Sequence, residues 1–146
     1  MMRTTTLMLA GLLGLMSLLS YPTWSNEHKQ ASTQAQDNIT LMVNLTVDKG
    51  MSPNMALRFA LISLGRGNET ILWLNSEAVK LADSKSKPTE ANKMLKEFIS
   101  KGGKVYVCPH CAKVLGVKKL VEGAQLGNPD TVFGILSKER VRVVSW

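Results

Sequence analysis

The sequence predicts a single α/β domain with three layers, in which helices cover both faces of a mainly parallel five-stranded sheet. Three observations predict it. Short apolar, β-branched runs alternate with segments of helical periodicity, which is the spacing of right-handed crossovers between parallel strands. Proline and glycine stand at the seams between these segments. The 146 residues, 45% of them hydrophobic, are enough for one core and too few for two.

The first 25 residues read as something other than this domain. Arg3 is the one charge before Glu27, and behind it Leu7 to Leu19 is an unbroken run of apolar and small residues. A membrane-spanning helix needs about 20 apolar residues, so this run is short for a span and matches the apolar region of a secretory signal. Thr23 and Ser25 supply the small residues expected ahead of a cleavage site. The expectation is a signal peptide over 1–25, contact with a membrane only during export, and a periplasmic or secreted mature protein. Residues 26–37 are polar and lack apolar periodicity, which reads as a flexible leader. His28 lies in that leader, where a lone histidine is ordinarily solvated. The folded unit is expected over 38–146.

Within it, Ile39 to Thr46 is a largely apolar run, the pattern of a buried strand. Ser52-Pro53 predicts a helix start, with serine as cap and proline in the first helical position, and Met55, Phe59 and Ile62 share one side of that helix. Gly65-Arg66-Gly67 ends it. Thr70 to Leu74 is the second strand, 76–82 a short helix, and 83–87 a polar loop. Pro88 opens a third helix carrying Met94, Leu95, Phe98 and Ile99, which Gly102-Gly103 stops. Lys104 to Cys108 is the third strand, followed by a helical turn or two over 112–115. Ala124 to Leu126 is a short fourth strand, Asn128-Pro129-Asp130 opens a last helix, and Val141 to Trp146 closes the sheet.

Ligands of such sheets gather beyond the carboxyl ends of the strands, which directs attention to Asp48, Asn75, Ser76 and Cys108. The chemical feature of the chain is there: Cys108-Pro109-His110-Cys111 stands where the third strand passes into a helix. Helix N-terminal N–H groups stabilise a thiolate, a second thiol three residues on can hydrogen-bond to it, and His110 and Lys113 bring positive charge nearby. A thiolate attacks disulfide and persulfide sulfur, so the candidate catalytic residues are Cys108 and Cys111. A buried structural pair and a plain disulfide are the competing readings. Zinc needs about four ligands, and one CxxC supplies two, so no metal is expected. No phosphate-binding glycine motif occurs, and no cofactor is expected. The net charge of +7 is scattered and not interleaved with aromatics, which gives no case for nucleic acid. Thioredoxin-like oxidants carry the same tetrapeptide, but after an early strand; here most of the folded unit precedes it.

The order of the Ile39–Thr46 strand, the Met55 to Ala60 helix, the strand ending Val105-Tyr106-Val107-Cys108-Pro109, then Gly116-Val117 and the final helix and strand resembles the DsrE/DsrF-like family across nearly all of 38–146. The resemblance implies a flavodoxin-like α/β fold, assembly as a homo-oligomer such as a trimer or hexamer, and a place in sulfur metabolism. Several members carry sulfane sulfur as a persulfide on the cysteine ending this strand, which corresponds here to Cys108. Partners are then sulfur donor and acceptor proteins or small thiols. Cys111 would assist, or resolve the persulfide into a disulfide. The alternatives are a dithiol/disulfide oxidoreductase using both cysteines, and a non-catalytic module that binds a ligand or partner.

Overall fold

The computed structural model describes residues 38–146; the expected signal peptide, the leader and His28 lie outside the described residues. Five strands form one sheet: β1 (Thr40–Leu45), β2 (Glu69–Leu74), β3 (Lys104–Val107), β4 (Ala124–Leu126) and β5 (Val141–Ser145). Every neighbouring pair is parallel, in the order β4-β3-β2-β1-β5. The helices are α1 (Met51–Gly65), α2 (Glu90–Ser100), α3 (Pro109–Val114) and α4 (Pro129–Leu136), and Ser76–Ala82 is a 3-10 helix.

The connections explain how the layers fill. Three successive crossovers step one way across the sheet from β1 to β4, and the fourth returns past β1 to β5. Right-handed crossovers running in opposite directions place their helices on opposite faces. One face therefore carries α1, the 3-10 helix, α2 and α3, and holds the main core: Leu41, Val43, Leu45, Leu72, Leu74, Val105 and Val107 from the strands meet Leu57, Val79, Leu95 and Phe98. Among the described residues, the other face has α4 alone, with Ile135 seated on Met42 and Ile71. The expectation of two covered faces is met unevenly, and Val143, Phe133 and Leu136 stay exposed on the thinner side.

Three helix starts differ from the sequence expectation. α3 begins at Pro109, ahead of the expected 112–115 turn, because Cys108 caps it and proline takes the first helical position. α1 begins at Met51 with Gly50 as cap, at φ 80° and ψ −157°, a conformation open chiefly to glycine. Pro53 sits two residues inside, still in the first turn, where an N–H has no intrahelical partner to lose. α2 begins at Glu90, past Pro88, because Thr89 and Asn92 form a reciprocal capping box: the Asn92 N–H donates to Thr89 Oγ1 (3.2 Å) and the Thr89 N–H to Asn92 Oδ1 (3.0 Å). The inward face of α1 also differs. Pro53, Ala56, Leu57, Ala60 and Ser63 are buried, while Met55, Phe59 and Ile62 point away from the core, each more than 40% exposed. Small residues let the helix lie close on the sheet. Because α1 is apolar nearly all round, periodicity alone did not identify that side.

At the amino end of the strands, Glu69 accepts hydrogen bonds from Lys104 Nζ (2.7 Å), Lys138 Nζ (2.9 Å) and Thr40 Oγ1 (2.7 Å), tying β2 to β3, to β1 and to the segment before β5. The bonds from Lys104 and then Lys138 hold its carboxyl down at about 2. The folded value lies below the unfolded one near 4.5, so the clasp's stability is fully present above pH 4.5 and is lost as pH falls towards 2. Thermal melts across that window should show a steeper fall in Tm for the wild type than for Glu69→Gln. Parallel curves would mean that the clasp carries no net charge stabilisation.

Candidate functional site

Pairing of β2 with β3 builds the site. Leu74 lies beside Val107 in register, and the Cys108 N–H extends the ladder by donating to the Leu74 carbonyl (2.8 Å). The chain leaves β2 through Asn75 and enters the 3-10 helix at Ser76, and leaves β3 through Cys108 into α3. The two exits run side by side. Cys108 is the cap of α3 rather than the last residue of β3, with Pro109 in the first helical position.

The thiols face a common point. The Cys111 N–H donates to Cys108 Sγ (3.5 Å), and the Ser76 N–H donates to Cys111 Sγ (3.2 Å). Ser76 makes that contact from a left-handed backbone, φ 49°, uncommon for serine and a local strain that the structure around it sustains. Both cysteines are half-buried and unbridged. Burial, with the hydrogen bond to Cys108 next, raises the Cys111 thiol above its ordinary range, against the opposing pull of the Ser76 N–H. Cys111 is thus held as a neutral donor beside Cys108. An alkylating reagent at neutral pH should modify Cys108 ahead of Cys111, which peptide mapping after brief labelling would check; the reverse order would contradict this electrostatic division.

A shallow cleft of about 190 Å³ opens at Cys111, lined by Ser76, Glu77, His110, Cys111, Val114 and Leu115; Cys108 adjoins it through Cys111 and is not itself part of the lining. Behind it, Gly116 (φ 72°) ends α3 in a Schellman motif, with the Val117 N–H on the Ala112 carbonyl (2.9 Å) and the Gly116 N–H on that of Lys113 (3.3 Å). A left-handed residue is required there, which gives a physical reason for a glycine at this position.

Of the residues at strand ends, Ser76 and Cys108 converge with Cys111. Asn75 instead donates through Nδ2 to Asn44 Oδ1, and Asn44 Nδ2 donates to Ser145 Oγ (3.2 Å), a chain of side chains knitting β2, β1 and β5. Asp48 lines a separate pocket. His110 borders the cleft, whereas Lys113 does not. Sequence reasoning missed Glu77, Val114 and Leu115, whose spacing carries no chemical signal, and it missed the neighbouring pocket, whose lining includes Lys49, Lys80, Lys85 and Lys87. Among the described residues, no cluster of three His, Cys, Asp or Glu is placed to hold a metal ion, and no helix is long and apolar enough to cross a membrane.

The comparisons agree with this fold. The sequence profile of the DsrE/DsrF-like family matches residues 37–143. The uncharacterized protein MJ0989 of Methanocaldococcus jannaschii is 35% identical over 96 residues, which cover 62% of this chain and 83% of that one. The fold is similar to the ychN protein from E. coli (TM-score 0.64, 22% identity, 73% of this chain and 99% of that one). It is also similar to BT1422, a conserved protein of unknown function from Bacteroides thetaiotaomicron (TM-score 0.60, 21% identity, 73% and 94%).

Proposed function

The chain belongs to the DsrE/DsrF-like family, and from that premise we propose that it takes up and passes on sulfane sulfur as a persulfide on Cys108. The observation that carries this reading is the arrangement of the pair. Cys108 Sγ receives the N–H of Cys111, while burial and then the hydrogen bond to Cys108 keep the Cys111 thiol neutral against the pull of the Ser76 N–H. Attack on a sulfane sulfur needs one sulfur able to bear charge and a neighbour that donates to it, and the cap position of Cys108 provides the first. His110 lines the neighbouring cleft and can donate a hydrogen bond there. The step is an exchange: the Cys108 thiolate bonds to the outer sulfur of R–S–SH, the S–S bond of the donor breaks, and RS⁻ leaves with the electron pair. The dithiol oxidoreductase reading uses the same two sulfurs and requires both to cycle.

The same reading has the protein exported to the periplasm or secreted, and assembled as a homo-oligomer. The exposed Phe133, Leu136 and Val143 on the thin side of the sheet support assembly. Intact mass of the protein after exposure to a persulfide donor tests the central claim. A gain of one sulfur that a reductant removes is expected. Loss of two hydrogens in the wild type, together with no sulfur gained by Cys111→Ser, in which the persulfide cannot be resolved into a disulfide, would replace the carrier with a dithiol oxidoreductase, and an unchanged mass in both proteins would leave a binding module.

A further inference from the structure

We propose that the lysine-lined pocket beside the cysteine cleft is an anion site that seats the carboxylate end of a small acidic thiol persulfide, the donor from which Cys108 draws sulfur; the donor role rests on the persulfide reading above. The pocket has a volume of about 390 Å³ and is assembled from five parts of the chain: the turn after β1, the 3-10 helix, the 83–89 loop, the first turn of α2 and the residues that follow α3. Lys49, Lys80, Lys85 and Lys87 line it against two carboxylates, Asp48 and Asp83. Lys80 is paired with Glu77. Among the described residues, Lys49, Lys85 and Lys87 have no carboxylate partner within ion-pair distance. A concave site with this excess of cations concentrates anions.

The neutral polar groups in its wall are already committed, so the ammonium groups are what remains for a ligand. Ser86 Oγ donates to the Lys80 carbonyl, and Asn92 Nδ2 donates to that of Leu81 (2.8 Å) while its Oδ1 serves the α2 cap. The loop is anchored where it enters: the Ser84 N–H donates to the Lys119 carbonyl (2.9 Å) and the Val121 N–H to that of Ala82 (2.8 Å). The shape is therefore fixed by the fold and not by a bound anion.

Position ties the pocket to the sulfur chemistry. Leu115 lines both the pocket and the cysteine cleft, and Glu77, the ion-pair partner of Lys80, lines the cleft. A ligand filling both spaces is elongated, negative at one end and bearing sulfur at the other. A short cysteine-containing peptide with free carboxylates has that form, whereas an inorganic anion is too small to reach from one space to the other. The lysines also offset the repulsion between such a donor and the thiolate it must approach.

Two measurements on the full protein test this, with K85E/K87E as the variant, since both side chains are exposed and unpaired. S-methylglutathione, which has no sulfur to give, should bind the wild type saturably at low salt, and about tenfold more weakly in the variant. No saturable binding at millimolar concentration, or equal binding by both proteins, overturns the pocket. The loading rate of Cys108 from glutathione persulfide, divided by that from the uncharged persulfide of 2-mercaptoethanol, should likewise fall about tenfold in the variant; an unchanged ratio overturns the donor assignment. If neither donor loads Cys108 while S-methylglutathione binding and its loss in the variant hold, the persulfide reading fails and the anion site stands.

Discussion

Cys108→Ser should gain no sulfur under conditions that load the wild type fully, whereas Cys111→Ser should load and then retain its sulfur longer. The asymmetry follows from the geometry. Cys108 Sγ is the acceptor in the pair and stands at the mouth of α3, and a serine oxygen there forms no persulfide. Cys111 contributes a neutral donor and a second sulfur within reach of the first. Once Cys108 carries a persulfide, attack by Cys111 on the Cys108 sulfur forms the Cys108–Cys111 disulfide and expels the outer sulfur as hydrosulfide. Without Cys111 that exit is closed. Retention of bound sulfur in Cys111→Ser should therefore exceed that of the wild type about tenfold or more, as followed by intact mass over time. Full loading of Cys108→Ser would remove Cys108 from the mechanism. A faster loss from Cys111→Ser would mean that Cys111 protects the persulfide.

The second large effect concerns stability. Phe98 is fully buried between α2 and the sheet, and Gly103 lies beneath its ring: a Cβ on Gly103 would come within 2.5 Å of three Phe98 ring atoms. Phe98→Ala should cost about 3–5 kcal/mol through lost burial and the cavity left behind. For a domain of this size that lowers Tm by roughly 12–30 °C. Gly103→Ala should also destabilise strongly, because the ring has nowhere to move in a close-packed core. The two must couple. In the Phe98→Ala background the new methyl enters vacated space, so the double variant should be clearly more stable than the sum of the single effects demands. Additive losses in thermal or denaturant melts would show that the contact is not what excludes a side chain at 103.

How much of this was legible in the sequence can be argued from particular residues. β4 and α4 fall where the sequence puts them, because Asn128 does what asparagine does before proline: its Oδ1 accepts from the Thr131 N–H (2.7 Å) and caps the helix. The cysteine pair at the exit of β3 was equally plain, since thiol spacing is a chemical signal carried in one short stretch. The orientation of α1 was not, because Met55, Phe59 and Ile62 are as apolar as its buried side and helix side is settled only by what packs there. The role of Ser76 was half visible. A strand end is a rule-based place to look, but the left-handed turn that aims its N–H at Cys111 has no residue signature when the residue is serine. The lysine pocket was hidden most completely. Its members come from distant stretches, and each, taken singly, reads as ordinary solvated surface.

The place of β5 in the sheet has a consequence for how the domain closes. β1 is the first strand of the domain along the chain and β5 the last, yet they lie side by side: Thr40 pairs with Val141, and the Trp146 N–H closes on the Asn44 carbonyl (2.9 Å). Until β5 docks, β1 presents an open row of backbone donors and acceptors, the kind of edge that invites pairing with another chain. This seam joins the two most distant strands in sequence, so the loop-closure entropy it must overcome makes it the slow, non-local step of sheet formation.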